Sequence, residues 1–301
     1  MRHETDTSSP WGTYEQLDVE YDPDQKAVWY HLAPHSRPCF NLDLLGELKD
    51  FQDRLVAMNR GGEGDPATLP VRYTVLASRT PGVFNLGGDL QLFAGLIRAQ
   101  DRDGLFHYAK SCIDVLYPNT VNFDQPLTTI TLVQGDALGG GFEAAISSNV
   151  VIAERSAKFG LPEVLFNLIP GMGAYSFLIR KTSPATAERI IMSGELLSAD
   201  EMFELGLVDV VVEDGEGEEA AVNFIHRHRK RGNSHVAMGR IRQCVNPVTY
   251  DELIRITRIW VDAALNLTDR DLRMIERLVQ AQNRRAAAAE PAAPRAMEGH
   301  G

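Results

Sequence analysis

Apolar residues in the first half of the chain fall into short runs typical of strands. The first two runs, YEQLDVEY (14–21) and KAVWYHLA (26–33), flank the turn-prone segment DPDQ and predict two neighbouring strands. Further apolar runs predict buried strands at VRYTVLAS (71–78), TTITLVQG (128–135) and VVIAE (150–154).

Helical spacing of apolar residues appears between these runs and dominates the end of the chain. The segment 41–59 carries apolar residues near a helical period: Leu42, Leu44, Leu45, Leu48, Phe51 and Leu55. Helices are also predicted around 90–116, from about 141, and over most of the chain after 183. Strands that alternate with helices, followed by a helical C-terminal part, predict an α/β core with added helices.

This pattern divides the chain into a core, a helical region and two tails. We expect a core over 13–215 and a helical C-terminal region over 216–285. The segments 1–12 and 286–301 have no apolar pattern that could pack, so we expect both to be disordered tails.

Charge and composition argue against several classes of function. The 301 residues carry a formal net charge of −11, whereas general nucleic-acid binding needs a basic surface. The three cysteines are widely spaced and form neither a metal-ligand pattern nor a disulfide framework, so we expect reduced thiols, no metal and no cofactor. We find no signal peptide and no run of the roughly 18 apolar residues that a membrane helix needs, and therefore expect a cytoplasmic protein without membrane insertion.

Two glycine-bearing loops each lie between a predicted strand and a predicted helix: NLGGD (85–89) and LGGGFE (138–143). One interpretation is a tight turn, because glycine tolerates backbone conformations that other residues avoid. The alternative is an oxyanion site, because the first N–H groups of a helix have no partner within it. One N–H from each loop could then stabilise the negative charge on a thioester oxygen.

Two glutamates near these loops are candidate acid–base groups. Glu143 falls in the first turn of the helix after the glycine triplet, where an acidic residue is also favourable for the helix itself. Glu163 is either an ordinary exposed loop carboxylate or a partly desolvated one, since apolar residues flank it: Leu161, Pro162, Val164, Leu165 and Phe166. Desolvation would raise its pKa and suit it to general acid or base catalysis near neutral pH.

Several segments resemble the enoyl-CoA hydratase/isomerase (crotonase) superfamily. They are FNLGGDL (84–90), VQGDALGGGFEAAISSNVVIAERSAKFGLPEV (133–164), PGMGAYSFL (170–178) and GELLSADEMFELGLVDVVV (194–212). The resemblance implies an α/β fold with a ClpP-like spiral core of ββα units and a helical C-terminal region. It also implies that Gly88 and Gly140 supply the oxyanion N–H groups, and that Glu143 and Glu163 match the two hydratase glutamates.

A narrower resemblance, from about residue 28 to 285, is to the diffusible-signal-factor synthases of the RpfF type. It rests on VFNLGGDL, GGGFEAA, LPEVLF with PGMGAYSF, and RITRIWVD with RLVQAQNRR. Ala174 and Tyr175 depart from the usual hydratase motif in the direction of these synthases, and the helical tail containing Trp260 is shared with them. The resemblance implies dehydration of 3-hydroxyacyl-ACP to cis-2-enoyl-ACP, where ACP is the acyl carrier protein, and hydrolysis of the thioester. The product would be a cis-2-unsaturated fatty acid used as a quorum-sensing signal.

Several expectations about substrate and partners accompany this resemblance. Met172, Tyr175 and Trp260 are candidates to line an acyl pocket, although apolar residues at such spacing are more often simply core. An acyl carrier protein or coenzyme A would carry the substrate, and a trimer-based homo-oligomer and a sensor-kinase receiver domain are the expected partners. An enoyl-CoA hydratase of fatty-acid catabolism, or a protein that acts by binding a receiver domain, are the alternatives. The sequence leaves open which glutamate is the acid and which is the base.

A basic cluster and scattered histidines complete the candidates. The cluster at Arg227, Arg229, Lys230 and Arg231 is either a solvated helix end or a docking site for the acidic carrier protein. The histidines His31, His35 and His107 have no ligand spacing, and Asp89 is expected to cap or orient the first glycine loop.

Overall fold

A computed structural model describes residues 10–35, 37–60 and 69–289, with side chains described up to residue 283. The strands are β1 (Leu17–Asp22), β2 (Ala27–Leu32), β3 (Tyr73–Ser78), β4 (Gly82–Asn85), β5 (Thr128–Val133), β6 (Gly135–Leu138), β7 (Val150–Glu154), β8 (Lys158–Gly160), β9 (Leu196–Ser198) and β10 (Val210–Val212). The helices are α1 (Leu42–Asn59), α2 (Leu90–Arg98), α3 (Arg102–Thr120), α4 (Gly140–Ser147), α5 (Ala174–Lys181), α6 (Pro184–Ser193), α7 (Ala199–Glu204), α8 (Gly217–Arg229), α9 (Gly232–Val245), α10 (Tyr250–Leu265) and α11 (Asp269–Ala289). Short 3₁₀ turns occur at Asn122–Asp124 and Pro162–Phe166.

The strands form two sheets. The larger sheet has the order β1-β2-β3-β5-β7-β10, and the smaller one has the order β4-β6-β8-β9. All neighbouring strands are parallel except β1 with β2 and β8 with β9. The central strands β3, β5 and β7 read as continuous apolar or threonine-rich runs because both of their faces are covered.

Successive strands alternate between the two sheets, and this alternation builds the site. The pairs β3–β4, β5–β6 and β7–β8 each place one strand in the large sheet and the next in the small sheet, before the chain turns into a helix. The α/β class and the ββα units expected from the resemblance are therefore confirmed. Because β4, β6 and β8 are parallel, the segments that follow them meet at one edge of the small sheet.

Helices cover both sheets. Helix α8 packs on the outer face of the large sheet, where Ala221 and Ile225 join a buried cluster with Ile130 and Ile152. Helix α10 packs on α3, and α11 packs on α2 and on the 3₁₀ turn at 162–166. The helical region after 216 therefore completes the core. No helix in the described part of the chain is long and apolar enough to cross a membrane.

The long elements agree with the sequence pattern and several short ones were missed. Strands β4, β6, β8, β9 and β10 have three to four residues each, too few for a period to stand out. The sequence pattern also missed α9, which lies just after the basic cluster and has only Gly232 buried.

The predicted tail boundaries need correction. Trp11 is 2% exposed and packs against Tyr21 and Phe51, so the core begins before residue 13. At the other end α11 continues to Ala289, four residues past the predicted boundary at 285. The rest of the predicted tails, 1–9 and 290–301, lies outside the described residues.

Candidate active site

The segments that follow β4, β6 and β8 surround one cavity of about 60 Å³. Both predicted oxyanion glycines, Gly88 and Gly140, line it together with Glu143 and Glu163. The remaining lining residues are mainly apolar: Leu90, Phe93, Tyr108, Ala109, Cys112, Phe166, Leu168, Gly171, Met172 and Trp260. The four residues that the sequence assigned to catalysis thus lie together in a largely apolar enclosure.

Each glycine of the triplet 139–141 is required for a different reason. Gly139 has a φ of +52°, and a Cβ there would lie 2.7 Å from Oε1 of Glu163. A Cβ on Gly140 would lie 2.4 Å from the Met172 sulfur. A Cβ on Gly141 would lie 2.2 Å from the backbone oxygen of Asn85, so this glycine permits close packing of the two strand ends. The turn and the oxyanion interpretations of the loop are therefore compatible.

The two glycine loops touch each other. Gly87 has a φ of +94°, and a Cβ on it would lie 3.0 Å from the Gly140 nitrogen. Among the turn, loop and cap hydrogen bonds of the described residues, none runs from the N–H of Gly88 or Gly140 to a backbone carbonyl. Two N–H donors without such a partner, both lining one cavity, are the components that an oxyanion site needs.

Asp89 fixes the helix that follows the first loop. It is the N-cap of α2, and its carboxylate accepts hydrogen bonds from the N–H groups of Gln91 and Leu92. Arg37 forms an ion pair with the same carboxylate at 3.1 Å. These contacts agree with the expectation that Asp89 caps or orients the segment at the first glycine loop.

Glu143 is held by the backbone of the opposite loop. It lies in the first turn of α4 and is 1% exposed. Its Oε1 accepts hydrogen bonds of 2.8 Å from the N–H groups of Met172 and Ala174. These two bonds orient the carboxyl, so that its other oxygen remains available for proton transfer.

Glu163 reaches the same cavity from the 3₁₀ turn after β8. The residue as a whole is half-buried, but its Oε2 is shielded from solvent and has no hydrogen-bond partner among the described residues. A buried carboxyl oxygen without a partner is unfavourable unless a proton or a ligand satisfies it. The interpretation of Glu163 as an ordinary exposed loop carboxylate is therefore wrong.

The two carboxyls perturb each other. Burial raises the pKa of Glu143 above its ordinary value, and the nearby charge of Glu163 raises it further. The two backbone hydrogen bonds lower the pKa, but by less. Burial likewise raises the pKa of Glu163, although a hydrogen bond from its own backbone lowers it in part. Since two like charges in one cavity disfavour each other, the pair shares protons and titrates as a unit. One protonated and one ionised carboxyl near neutral pH can serve as acid and base together.

The predicted acyl-pocket residues divide into two groups. Met172 and Trp260 line the cavity, and Trp260 fills the space beside Gly171, where a Cβ would lie 2.7 Å from the indole. Tyr175 does not line it: the residue is 38% exposed and its hydroxyl lies 3.3 Å from Glu188. Tyr175 sits in the first turn of α5 with its ring turned to the surface, which corrects its assignment to the pocket.

The basic cluster at 227–231 lies at a different part of the molecule. Arg229 donates a hydrogen bond to the backbone oxygen of Asp24, and His228 contacts the hydroxyl of Tyr73. Both contacts are near the amino-terminal ends of β2 and β3, whereas the cavity lies beyond the carboxyl ends of β4 and β6. No residue of this cluster lines the cavity.

One group of possible metal ligands lies outside the cavity. Asp18, Glu20 and His31 place ligand atoms within 4.8 Å of one another on β1 and β2. The sequence did not suggest it, because the pairing of β1 with β2 brings Asp18 opposite His31. The guanidinium of Arg79 already pairs with both carboxylates, so we assign no ion to this group.

Tyr108 is a site residue that the sequence did not single out. Its buried hydroxyl accepts a 2.6 Å hydrogen bond from the N–H of Asp89 and donates one of 2.8 Å to the backbone oxygen of Phe40. A Cβ on Gly88 would lie 3.0 Å from the same hydroxyl. Tyr108 therefore positions the loop that presents the Gly88 N–H.

We expect Tyr108→Phe to lower kcat for thioester turnover about tenfold, with KM changed less than twofold. The loss of the hydroxyl would remove about 1–1.5 kcal/mol of net hydrogen bonding from the anchor of the loop that presents the Gly88 N–H. Steady-state kinetics check this. Tyr117→Phe on the same helix is the matched control, since no hydrogen bond of its hydroxyl is found within the described region. Equal effects of the two variants on kcat would contradict a positioning role for Tyr108.

Comparison with known proteins places this site in a family. The family model described as "Enoyl-CoA hydratase/isomerase" matches residues 63–281. A crotonyl-CoA hydratase of Syntrophomonas wolfei is 31% identical over 205 residues, which cover 67% of this chain and 71% of that protein. A methylglutaconyl-CoA hydratase of Rattus norvegicus is 33% identical over 151 residues, which cover 50% of this chain and 46% of that protein.

Solved structures share the fold at lower identity. An enoyl-CoA hydratase/isomerase from Xanthobacter autotrophicus superposes with a TM-score of 0.71 at 20% identity, covering 93% of this chain and 100% of that one. DspI of Pseudomonas aeruginosa superposes with a TM-score of 0.62 at 23% identity, covering 91% of this chain and 98% of that one. These likenesses establish the architecture.

Proposed function

The chain belongs to the enoyl-CoA hydratase/isomerase family, and we propose that it interconverts 3-hydroxyacyl and 2-enoyl thioesters by loss or addition of water. The observation that supports this most strongly is the pair of buried carboxyls, Glu143 and Glu163, in one cavity with two free loop N–H groups. A binding protein would have no need for two carboxyls that are costly to bury together.

The proposed dehydration needs one proton removed and one delivered. The ionised carboxyl takes the proton from C2 of the substrate, and the resulting enolate oxygen is held by the N–H groups of Gly88 and Gly140. The protonated carboxyl then gives its proton to the hydroxyl on C3. The C3–O bond breaks, the C2–C3 double bond forms and water leaves. We assign the protons to the pair and not to either glutamate singly.

The finer proposal is a signal-fatty-acid synthase. The substrate would be a 3-hydroxyacyl chain on an acyl carrier protein, dehydrated to the cis-2-enoyl thioester and then hydrolysed to the free acid. For hydrolysis a glutamate would activate water while the same N–H pair holds the tetrahedral oxyanion. The motif resemblance, including Ala174 and the helix that carries Trp260, supports this proposal. It also supports a trimer-based homo-oligomer and, as another mode of action, binding to a sensor-kinase receiver domain.

An enoyl-CoA hydratase of fatty-acid catabolism is the enzymatic alternative. Its substrates would be CoA thioesters, as the names of two relatives, a crotonyl-CoA hydratase and a methylglutaconyl-CoA hydratase, also indicate for those proteins. The two enzymes differ in the product that leaves the protein: a hydratase releases a thioester, whereas the synthase releases a free acid.

We expect the purified protein to convert 3-hydroxyacyl-ACP, assayed over a series of chain lengths, to a cis-2-enoyl product and to release part of it as free acid. Mass spectrometry of intact carrier protein and of extracted acids measures both steps. The same acyl chain on coenzyme A is the comparison substrate. Turnover that yields only thioesters would reject the synthase and favour the catabolic hydratase, and no turnover of either substrate would reject the proposed function as a whole.

A further inference from the structure

We propose that one face of α11 is the docking surface for the acyl carrier protein; this deepens, and rests on, the proposed function. The surface consists of three exposed arginines, Arg270, Arg273 and Arg277. At positions i, i+3 and i+7 of a helix they fall within an arc of about 60° and present their guanidinium groups together.

The arginine face borders a cleft next to the active site. The cleft has a volume of about 690 Å³, and its opposite wall is formed by Val164, Leu165 and Asn167. Two of these three residues belong to the 3₁₀ turn that carries Glu163. A partner bound in the cleft would therefore contact the same turn that holds a catalytic carboxyl.

The three arginines are available for a partner. None of them forms an ion pair with another residue that the structure describes. The one carboxylate in the cleft, Asp271, is occupied by the N–H and hydroxyl of Thr268. Glu276, three residues after Arg273, pairs with Arg98 of α2. The cleft thus carries a local positive charge on a chain whose net charge is −11.

Helix α11 also links the two halves of the active site. Near its start, Asp271 lies 3.5 Å from the side chain of Asn167, directly after the turn that holds Glu163. Near its end, Gln282 donates a hydrogen bond to the backbone oxygen of Leu86, two residues before Gly88. A carrier docked on this helix would be placed beside both the carboxyl and the oxyanion loop.

The chemistry of the cleft fits an acidic protein surface. Leu165 is 53% exposed and stands with Met274 among the arginines, so an apolar centre has a positively charged rim. Acyl carrier proteins are acidic, and long-range repulsion from this acidic chain would slow their encounter unless a local positive surface steers them. The cluster at 227–231, which lies elsewhere, provides a control of equal charge.

The test compares Arg273→Glu/Arg277→Glu with the control Arg227→Glu/Lys230→Glu. Each variant is assayed with a 3-hydroxyacyl chain on carrier protein, on coenzyme A and on uncharged N-acetylcysteamine. For the α11 variant we expect kcat/KM with carrier protein to fall about tenfold or more at low salt, mainly through KM, and to recover partly at high salt. With the uncharged thioester we expect less than a twofold change, and for the control variant less than a twofold change throughout.

Three results would overturn the docking surface. If the two variants lose kcat/KM with carrier protein equally, the effect comes from net charge. If the α11 variant loses as much kcat/KM with the uncharged thioester as with carrier protein, the effect comes from the active-site turn. A loss confined to coenzyme A would mean that the arginines bind its phosphates.

Direct binding separates this proposal from the proposed function. Affinity of fluorescent, unacylated holo carrier protein for each variant is measured by anisotropy and needs no turnover. We expect the α11 reversal alone to weaken it about tenfold. Absence of turnover in wild type, together with this pattern of binding, would reject the chemistry and keep the docking surface. Turnover by wild type, together with carrier binding that the α11 reversal leaves unchanged, would keep the chemistry and reject the docking surface.

Discussion

Replacing either Glu143 or Glu163 by glutamine should lower kcat for dehydration by about 10²–10⁴-fold, the range expected for loss of a general acid or base. The amide keeps the size of the carboxyl but cannot accept or deliver a proton near neutral pH. Both single variants should be severely impaired, because the reaction needs one carboxyl in each protonation state. Turnover of a 3-hydroxyacyl thioester by either variant near the wild-type rate would contradict the two-carboxyl mechanism.

Stability measurements on the same variants show whether the fold is intact. The fold raises the pKa of both carboxyls, so the folded protein holds protons that the unfolded chain releases. The contribution of this pair to the free energy of unfolding of the wild type therefore falls as the pH rises above the ordinary carboxyl range. Each glutamine variant should match wild type in urea unfolding at pH 4 and be more stable than wild type at pH 8. If a variant is less stable than wild type at pH 8, its lost activity reflects a damaged structure and not the lost carboxyl.

Replacing Gly140 by valine should impair dehydration and thioester hydrolysis together, each by about 10²–10³-fold. Even the Cβ would lie 2.4 Å from the Met172 sulfur, so the new side chain must displace Met172 within the cavity. The same side chain would stand where the substrate oxygen has to approach the Gly140 N–H. Parallel assays of enoyl product and of free acid measure the two activities.

Gly95→Val on α2 is the matched control for this substitution. A Cβ on Gly95 meets no atom within 4 Å, so the change adds the same side chain without entering the cavity. We expect this control to keep both activities within about threefold, since valine is a better helix former than the glycine that it replaces. If Gly140→Val abolished one activity and spared the other, the two reactions could not use a common oxyanion site.

The long elements and the reactive groups of this protein could be predicted from its sequence. Runs such as TTITLV and the leucines of α1 carry their period over enough residues to predict β5 and α1. Gly88, Gly140, Glu143 and Glu163 were recognisable because they match the motifs of a known family, although the residue types alone left other interpretations open. The structure brings all four to one cavity.

Other assignments depended on contacts that the sequence does not display. Tyr175 and Met172 are three residues apart, yet only Met172 faces the cavity, because the turn into α5 directs Tyr175 to the surface. Tyr108 stands alone in the sequence and gains its role from hydrogen bonds to Phe40 and Asp89. The density of positive charge along the chain suggested 227–231 as the docking site for the carrier protein. The arginines next to the active site are instead spread along one face of α11.

The sequence by itself determined the α/β class, the family and the four groups proposed to carry the chemistry, because these depend on local periods and on residue types at short spacings. The tertiary structure alone decided which groups share an environment. It placed Glu143 and Glu163 in one desolvated cavity and so raised the pKa of both. It also joined α11 to the turn after β8, which places the three arginines across a cleft from Val164 and Leu165, in the turn that carries Glu163. Desolvation, coupling of charges and the composition of a surface arise from residues far apart in the chain, and they exist only once the chain has folded.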